Sequence, residues 1–381
     1  MSKGRTWIHG EVKTSQIRGR GGAGFATGTK WGFIPPPSDK PHYLVINADE
    51  GEPGTCKDRQ ILTNEPHKLV EGCLLSGFTI NAHKCYVYIR GEFRHEAAML
   101  QKAIDEAVAE GLIGKTNKFN WPFEIEIHRG AGAYVCGEET ALLNSIEGKA
   151  GRPRFKPPFP AVKGLFQCPT IVNNVETISS VPAICRKGGK WFSDIGIPGS
   201  KGTKIFSVSG AVNHPCVVEE AMGISLRDLI DVHAGGVVGG WDNLLGVIPG
   251  GLSCPVLTAD EADKAVMGYD ELTKMGTALG TGALIVMDKK TNLLEAFSRL
   301  SHFYMHESCG QCGPCREGTA IMSEIMEKFA HGDATEKDLE CLGRTAECTT
   351  SCICALAGAS SDPIKALMKK FKPILVQNLK K

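Results

Sequence analysis

A chain of 381 residues with 42% apolar and 22% charged side chains has enough apolar surface for a large core and enough length for two or three domains. Its formal net charge of +1 supplies no overall field for nucleic acid or an anionic bilayer, so any phosphate it binds has to be held locally. No run approaches the roughly 18–20 apolar residues that span a bilayer, and residues 1–15 lack the apolar core of a secretory signal, so the chain reads as soluble and not secreted. Fifteen cysteines in so long a chain point to reduced thiols and a metal centre rather than a disulfide framework.

The first motif is Arg18-Gly-Arg-Gly-Gly-Ala-Gly-Phe25, in which Gly19, Gly21 and Gly24 satisfy G-x-G-x-x-G, Gly22 adds a further glycine, and Arg20 and Lys30 add positive charge. Glycines let main-chain N–H groups approach a phosphate. No strand precedes them, so the dinucleotide fingerprint lacks its required context, and taken alone the stretch also reads as a glycine-rich turn. Strand-like segments at 43–46, 86–89 and 123–127 then alternate with helical runs at 66–82 and 94–109. That β-α-β-α-β order predicts a parallel sheet with helices on its faces.

Asn47-Ala-Asp49-Glu50-Gly-Glu52-Pro-Gly54 sits where the first strand ends, the edge at which open α/β sheets bind ligands. Three carboxylates this close repel one another unless something uses them. They suit hydrogen bonds to ribose or ribityl hydroxyls and to a carboxamide, with a solvated acidic turn as the bland alternative. Gly130-Ala-Gly-Ala-Tyr134-Val-Cys-Gly137-Glu138-Glu139-Thr140-Ala141 comes after the third strand and opens a helix, a second glycine-rich turn at the same edge. Residues 152–169, with prolines at 153, 157, 158, 160 and 169, read as an ordered loop over this domain.

After about residue 201, short strands at 203–209, 244–248 and 284–287 surround a helix at 225–233, which predicts a small α+β domain. From about residue 292 the chain is helical. Leu293, Leu294, Phe297, Leu300 and Phe303 form one apolar stripe and Ile321, Met322, Ile325, Met326 and Phe329 another, while Asp362-Pro363 reads as N-cap and first turn of a final helix.

Cys309-Gly-Gln-Cys312-Gly-Pro-Cys315 is the strongest signal. Its even spacing lets three thiolates converge on one cubane, with Gly310 and Gly313 allowing the main chain to wrap it. A fourth ligand has to come from elsewhere: Cys354 leads, with Cys352, Cys348 and Cys341 as rivals. The competing reading is a four-cysteine structural zinc site, although zinc more often uses two C-x-x-C pairs. The cysteines at 56, 73, 85, 136, 168, 185, 216 and 254 read as small buried apolar residues, and no histidines cluster at metal-ligand spacing.

These motifs in this order resemble the NADH-oxidising flavoprotein subunit of respiratory complex I and its relatives in NAD-linked hydrogenases and formate dehydrogenases. The likeness runs through residues 18–25, 47–58, 130–142, 156–160, 173–177 and 307–318. It implies an N-terminal segment with the glycine-rich loop (1–28), a Rossmann-like domain for FMN and NADH (29–195), a ubiquitin-like β-grasp domain (196–290) and a helical bundle holding a [4Fe-4S] cluster (291–381). By the same resemblance Gly19, Arg20, Gly21, Gly22, Lys30, Asn47, Asp49, Glu50, Tyr134, Gly137, Glu138, Asn173, Asn174 and Thr177 surround FMN. Phe25, Phe33 and Phe159 sandwich the adenine of NADH, Glu52, Glu139 and Lys156 approach its polar groups, and Cys309, Cys312, Cys315 and Cys354 hold the cluster.

The implied reaction passes a hydride from NADH to FMN and then single electrons to the cluster and toward ubiquinone. The implied partners are the other peripheral-arm subunits, especially the thioredoxin-like [2Fe-2S] subunit and the large iron-sulfur subunit. The implied location is the matrix side of the mitochondrial inner membrane, or else a bacterial membrane's cytoplasmic face or a mitochondrion-derived organelle. A hydrogenase diaphorase module and a scaffold without catalysis are the other readings. The sequence departs from the family in lacking the usual longer amino-terminal segment, in its Ala161-Val-Lys163-Gly164 loop, in being about one residue shorter between Cys315 and Cys354, and in reading Cys352-Ile-Cys354 where the family has a single cysteine.

Overall fold

The alternation expected between residues 43 and 127 is a parallel sheet with one strand more than the periodicity shows. The structure is a computed structural model and describes residues 1–380. The chain falls into two units, one made of Met1–Gly51, Thr55–Phe206 and Glu219–Gly223, the other of Glu52–Gly54, Ser207–Val218 and the chain from Ile224 onward.

In the first unit α1 (Arg5–Thr14) and α2 (Thr27–Trp31) bracket the glycine-rich segment, so a helix and not a strand leads into it. The strands β1 (His42–Ala48), β2 (Ala82–Ile89), β3 (Glu124–Arg129) and β4 (Thr170–Asn174) pair in parallel in the order β3-β2-β1-β4. Strand β4 escaped the sequence reading because five residues behind a proline-rich loop show no period. Central strands of a parallel sheet are covered on both faces, and Leu44, Val45 and Ile46 are all at 0% exposure, which is why this segment reads as a continuous apolar run.

Helices α3 (Lys57–Asn64), α4 (Pro66–Thr79), α5 (Arg94–Ala109), α6 (Glu139–Ile146), the short turn α7 (Pro160–Lys163), α8 (Val175–Lys187) and α9 (Gly189–Ser193) complete this unit, with the small hairpin β5 (Gly196–Ile197) and β6 (Ser200–Lys201). Proline at the first position of α4 sets its φ and gives up only an N–H that would be unbonded anyway. Helix α4 lies close against α8 because Gly72 has no side chain, and a Cβ there would collide with the carbonyl oxygen of Ile178.

The second unit holds most of a mixed five-stranded sheet, ordered β10-β9-β11-β7-β8, from β7 (Thr203–Gly210), β8 (Cys216–Ala221), β9 (Leu244–Ile248), β10 (Leu257–Thr258) and β11 (Ala283–Asp288). Strand β11 runs parallel to β7 and antiparallel to β9. With α10 (Leu226–Asp228, continued by a π-turn through His233), α11 (Ala259–Asp263) and α12 (Tyr269–Lys274), this is the small α+β domain expected.

The bundle comes next: α13 (Leu293–Glu307), α14 (Gly313–His331), α15 (Glu336–Cys348), α16 (Leu356–Lys370) and α17 (Lys372–Gln377). Helix α15 buries only Leu342 and Ala346, too few to print a stripe in the sequence. Helix α16 corrects an expectation. Instead of starting at Asp362-Pro363 it starts at Leu356 and runs through Pro363, because Leu356 and Ala357 are core residues and their burial outweighs the main-chain bond that an internal proline removes. Among the described residues no helix is long and apolar enough to cross a membrane.

Gly72→Ala is expected to force α4 away from α8 and lower unfolding stability by about 1–3 kcal/mol, the usual range for overpacking, as measured by urea denaturation against the parent chain.

Candidate functional site

The carboxyl ends of β1 and β4 lie side by side, with Asn47 opposite Asn174 and Ile46 opposite Asn173, and Ala48 pairs with Ile89 on the other flank. The turns that leave these strands therefore meet at one edge, as open α/β folds arrange their ligand sites. Asn47 donates from Nδ2 to the carbonyl of Gly137 (2.7 Å) and accepts the Asp49 N–H at Oδ1 (3.1 Å), which ties the turn after β1 to the glycine-rich turn after β3. The glycine-rich loop of residues 18–25 is stitched to the same edge, since the Arg20 N–H donates to the Thr177 hydroxyl at 2.8 Å. Gly22 and Gly24 have φ of 117° and 63°, a left-handed region that asks for glycine.

Two expected cofactor residues point their side chains inward. The Arg20 guanidinium is at 0% exposure and donates to the carbonyls of Lys201 (2.6 Å) and Thr203 (2.9 Å). Asn173 accepts at Oδ1 from the indole of the buried Trp31 (2.8 Å). Both residues shape the floor through their neighbours and their main chain.

Beneath that floor lies a layer of charge that sequence reasoning missed. Lys57 Nζ stands 2.6 Å from Asp58 and 3.3 Å from Glu176, and donates to Asn174 Oδ1 at 3.0 Å. Asn174 in turn donates to Asp58 Oδ2 at 2.6 Å and caps α8 by accepting the Glu176 N–H at 3.0 Å. Lys204 meets the same Glu176 carboxylate at 3.2 Å. Lys57, Asp58, Glu176 and Lys204 are all nearly inaccessible to water. Burial alone would push the Glu176 carboxyl up, but Lys204, Lys57 and Arg20 outweigh it and hold it below the usual carboxylate range. Burial pulls the Lys204 amine down to about 8, with Lys57 and Arg20 adding to that and Glu176 opposing it.

Glu50 accepts at its carboxylate from the N–H groups of Asp58 (2.8 Å) and Arg59 (3.0 Å) at the start of α3. Burial, followed by the Asp58 charge, nevertheless raises it to about 7, with Lys57 and those two amides pulling the other way.

The rim is wetter. Glu138 caps α6 by accepting from the N–H groups of Thr140 (2.8 Å) and Ala141 (3.0 Å), and it also meets Lys156 at 2.9 Å. Glu139 lies between Lys30 (2.9 Å) and Lys156 (3.2 Å). Burial would raise the Glu139 carboxyl, but Lys30 and Lys156 together hold it below its ordinary value. Phe25 and Phe33 stand with ring centroids 6.1 Å apart, and both are more than half exposed, as is Phe159 at the start of α7. Exposed aromatic rings beside a charged rim are what a flat heteroaromatic ligand needs to stack on. Glu52 belongs to the second unit, where its carboxylate accepts the Ser253 N–H at 2.7 Å.

The cysteines form the second candidate site. Cys309 lies between α13 and α14, Cys312 is the N-cap of α14, and Cys315 lies in its first turn. Gly310 adopts φ of 74°, and Arg316 clamps the loop by donating to the Gly310 carbonyl at 2.9 Å. The N–H groups at the start of a nineteen-residue helix favour negative charge, which suits thiolates there. The 349–354 segment lies over this loop, with the Ile353 N–H donating to Cys312 Sγ at 3.4 Å. Among the described residues no three of His, Cys, Asp and Glu stand at single-ion spacing. Of the other cysteines, 73, 85, 136 and 254 are buried as expected, whereas 56, 168, 185 and 216 are only partly so.

Both donor sets fit the groups that the motifs imply. A Cβ at Gly21 would stand 3.2 Å from the Asn174 Cβ and one at Gly51 3.1 Å from Tyr134 Cδ2, so side chains are kept off this floor, and its amides, amide side chains and carboxyls suit a phosphorylated polyol. Soft thiols at a helix start suit iron-sulfur chemistry.

A flavin-type α/β unit joined to a thiol-rich helical bundle defines a class, the flavin and iron-sulfur oxidoreductases, and comparison with known proteins narrows it. The family described as "Nuo51 FMN-binding domain" matches residues 12–183, "SLBB domain" matches 204–286, and "NADH-ubiquinone oxidoreductase-F iron-sulfur binding region" matches 295–378. An NADH-quinone oxidoreductase subunit of Rickettsia bellii (strain OSU 85-389) is 58% identical over 98% of this chain and 90% of its own length. The mitochondrial NADH-ubiquinone oxidoreductase 51 kDa subunit of Neurospora crassa is 56% identical over 100% of this chain and 78% of its own. A crystal structure of an NAD+-reducing [NiFe]-hydrogenase in the H2-reduced state matches with a TM-score of 0.91 at 36% identity, and this chain spans 64% of the hydrogenase chain. The chain belongs to the family of the complex I NADH dehydrogenase subunit that carries FMN-binding and [4Fe-4S]-binding domains. It is an oxidoreductase subunit of a larger assembly.

Two outcomes test the buried layer. Lys57→Met leaves Asp58 and Glu176 short of a counter-charge and is expected to cost about 3–5 kcal/mol of stability in chemical denaturation. Glu50 keeps its proton to about pH 7 when folded but loses it near 4.5 when unfolded, so the folded chain binds the extra proton between these values, and Glu50 makes stability fall as pH rises through that window. Glu50→Gln is expected to flatten that decline in urea midpoints measured across the same range.

Proposed function

We propose that the edge formed by residues 18–25, 47–50, 130–139 and 173–177 binds FMN, that NADH docks on the aromatic and charged rim, and that Cys309, Cys312 and Cys315 hold the cluster with a fourth thiol from 352–354. The observation behind it is that Asn47, Gly137, Arg20 and Thr177, four residues far apart in sequence, are bonded into one glycine-lined floor at the carboxyl edge of a parallel sheet. Bound there, the flavin supplies the two-electron to one-electron conversion that joins hydride transfer from a nicotinamide to an iron-sulfur acceptor.

The chain's own work is positioning. Main-chain N–H groups of the glycine-rich loop would meet the FMN phosphate, Asn47 and Asp49 would supply polar contacts along the polyol with Asn174 backing them from beneath, and Tyr134 and Gly137 would close the third side. Phe25, Phe33 and Phe159 stack on the adenine of NADH. Glu139, held between Lys30 and Lys156, offers a carboxylate that stays ionised at neutral pH for the nucleotide's hydroxyl groups, and Glu138 meets Lys156 beside it. No side-chain acid is required at the carbon that gives up the hydride, so catalysis here is alignment.

The partners that suit this chemistry are single-electron carriers, the [2Fe-2S] thioredoxin-like subunit and the large iron-sulfur subunit of a peripheral arm. Relatives from bacteria and from mitochondria support a place at the matrix side of the mitochondrial inner membrane or the corresponding bacterial face.

An anaerobic preparation is expected to be yellow, to be bleached by NADH, to contain iron and acid-labile sulfide, and to reduce ferricyanide with NADH. A colourless protein holding zinc overturns the reading. Phe33→Ala and Phe159→Ala are each expected to raise the KM for NADH roughly two- to tenfold with FMN content unchanged, the loss of one stacking contact worth about 0.5–1.5 kcal/mol.

A further inference from the structure

The loop that carries Lys156 and Phe159 is closed at its base by one arginine. Residues 155–159 are all exposed, and the chain then turns inward at Pro160 and Ala161, the buried residues of α7. Arg154 stands just before the exposed stretch. Its main-chain N–H donates to the Thr140 hydroxyl at 2.8 Å, its Nε to Asn144 Oδ1 at 2.8 Å, and one terminal nitrogen to the Gly164 carbonyl at 3.0 Å, while the other lies 2.9 Å from the Glu147 carboxylate. Thr140 and Asn144 belong to α6, Glu147 caps the end of that helix, and Gly164 lies on the returning limb of the loop. A single guanidinium therefore joins the outgoing limb, the returning limb and α6. The returning limb is held by the same carboxylate, since Glu147 accepts the Phe166 N–H at 2.8 Å. The Phe166 ring packs on Tyr43 and Tyr86 at centroid distances of 5.8 and 6.3 Å. Phe166 and Gln167 have φ of 51° and 62°, a left-handed conformation that residues with side chains adopt at a cost, so these contacts keep the limb in a shape it would not hold unaided. On the outgoing limb, the Thr140 hydroxyl that accepts from Arg154 donates to Glu138, and Glu138 pairs with Lys156, two residues beyond Arg154.

Resting on the reading of Lys156 and Phe159 as residues that receive NADH, we propose that Arg154, through Asn144, Glu147 and the Gly164 carbonyl, is a positioning residue that sets the exposed stretch 155–159 for the adenosine end of the dinucleotide. Its side chain is engaged by protein partners, so its effect on the nucleotide is exerted through the loop. Phe155 and Phe159 are 73% and 58% exposed, so packing of their own rings does little to fix where the stretch lies. A loop already tied at its base loses less freedom when a nucleotide orders it, and that saving appears as affinity. Loosening the clasp weakens the adenosine contacts and spares the FMN floor, whose turns at 18–25, 47–50 and 173–177 do not bond to Arg154.

The test uses the full chain, purified anaerobically with its cofactors, and compares NADH with reduced nicotinamide mononucleotide, which has the same hydride donor without the adenosine. Arg154→Met is expected to keep the parent's FMN content and its kcat for ferricyanide reduction, and to raise the KM for NADH roughly two- to tenfold, the range for a misplaced stacking contact. The Kd for ADP-ribose, measured by calorimetry, is expected to rise by the same factor, and the KM for the mononucleotide to stay at the parent's value. Unchanged NADH and ADP-ribose values at full FMN content overturn the proposal. An equal rise in KM for both hydride donors overturns it as well, since that marks damage to the whole domain. Should Arg154→Met lose FMN, Glu147→Ala decides by the same measurements, and loss of FMN from both variants overturns the proposal because the clasp then holds the FMN domain and not the loop. Phe159→Ala separates the two readings. A KM for NADH that does not respond to Phe159→Ala overturns the placement of NADH and this inference with it, whereas a KM that responds to Phe159→Ala and not to Arg154→Met overturns this inference alone.

Discussion

The carboxyl edge of the first unit depends on keeping an ion network out of water. Lys57 is held by Asp58 and Glu176, Glu176 by Lys204, and Asn174 bridges lysine and aspartate while capping α8. In a low-dielectric interior each of these charges is tolerable only because its partner and its hydrogen bonds are in place. The network therefore fixes where α3, α8 and the end of β4 meet, and the glycine-rich loop inherits its position from α8 through Thr177.

Floor and rim differ in the way a binding site for an exchanging substrate and a resident cofactor requires. The floor residues Arg20, Asp49, Glu50, Asn173 and Thr177 are buried, which suits a group that stays. The rim charges of Lys30, Glu139 and Lys156 are roughly a quarter exposed, so water screens them, and pairs of that kind are worth about 0–1 kcal/mol. A nucleotide can break and remake them at small cost, which suits a substrate that must leave. Phe25, Phe33 and Phe159, exposed without a protein partner large enough to cover them, give such a substrate its apolar contact.

The sulfur site obeys another logic. The long helix α14 begins at the second cysteine of the motif, so the third is displayed within its first turn and the N–H groups of that turn point toward the loop. The bundle then returns the chain to the same place forty residues later by way of α15, a helix with little apolar surface that is docked through the Gly318–Thr349 approach rather than through a broad stripe.

The amino-acid sequence by itself determined the two glycine-rich turns and the C-x-x-C-x-x-C loop, because each is a local pattern whose chemistry depends on near neighbours in the chain. It did not show β4, α15 or the true start of α16, where short length, sparse apolar residues or an internal proline leave no period to read and packing decides. Nor did it show that Arg20 turns inward or that Lys57, Glu176 and Lys204 lie beneath the site. A lone lysine or glutamate in a sequence looks like surface, and only the tertiary fold, by bringing Lys57 to a glutamate more than a hundred positions along the chain and Lys204 to the same carboxylate, supplies the counter-charges that make burying them affordable.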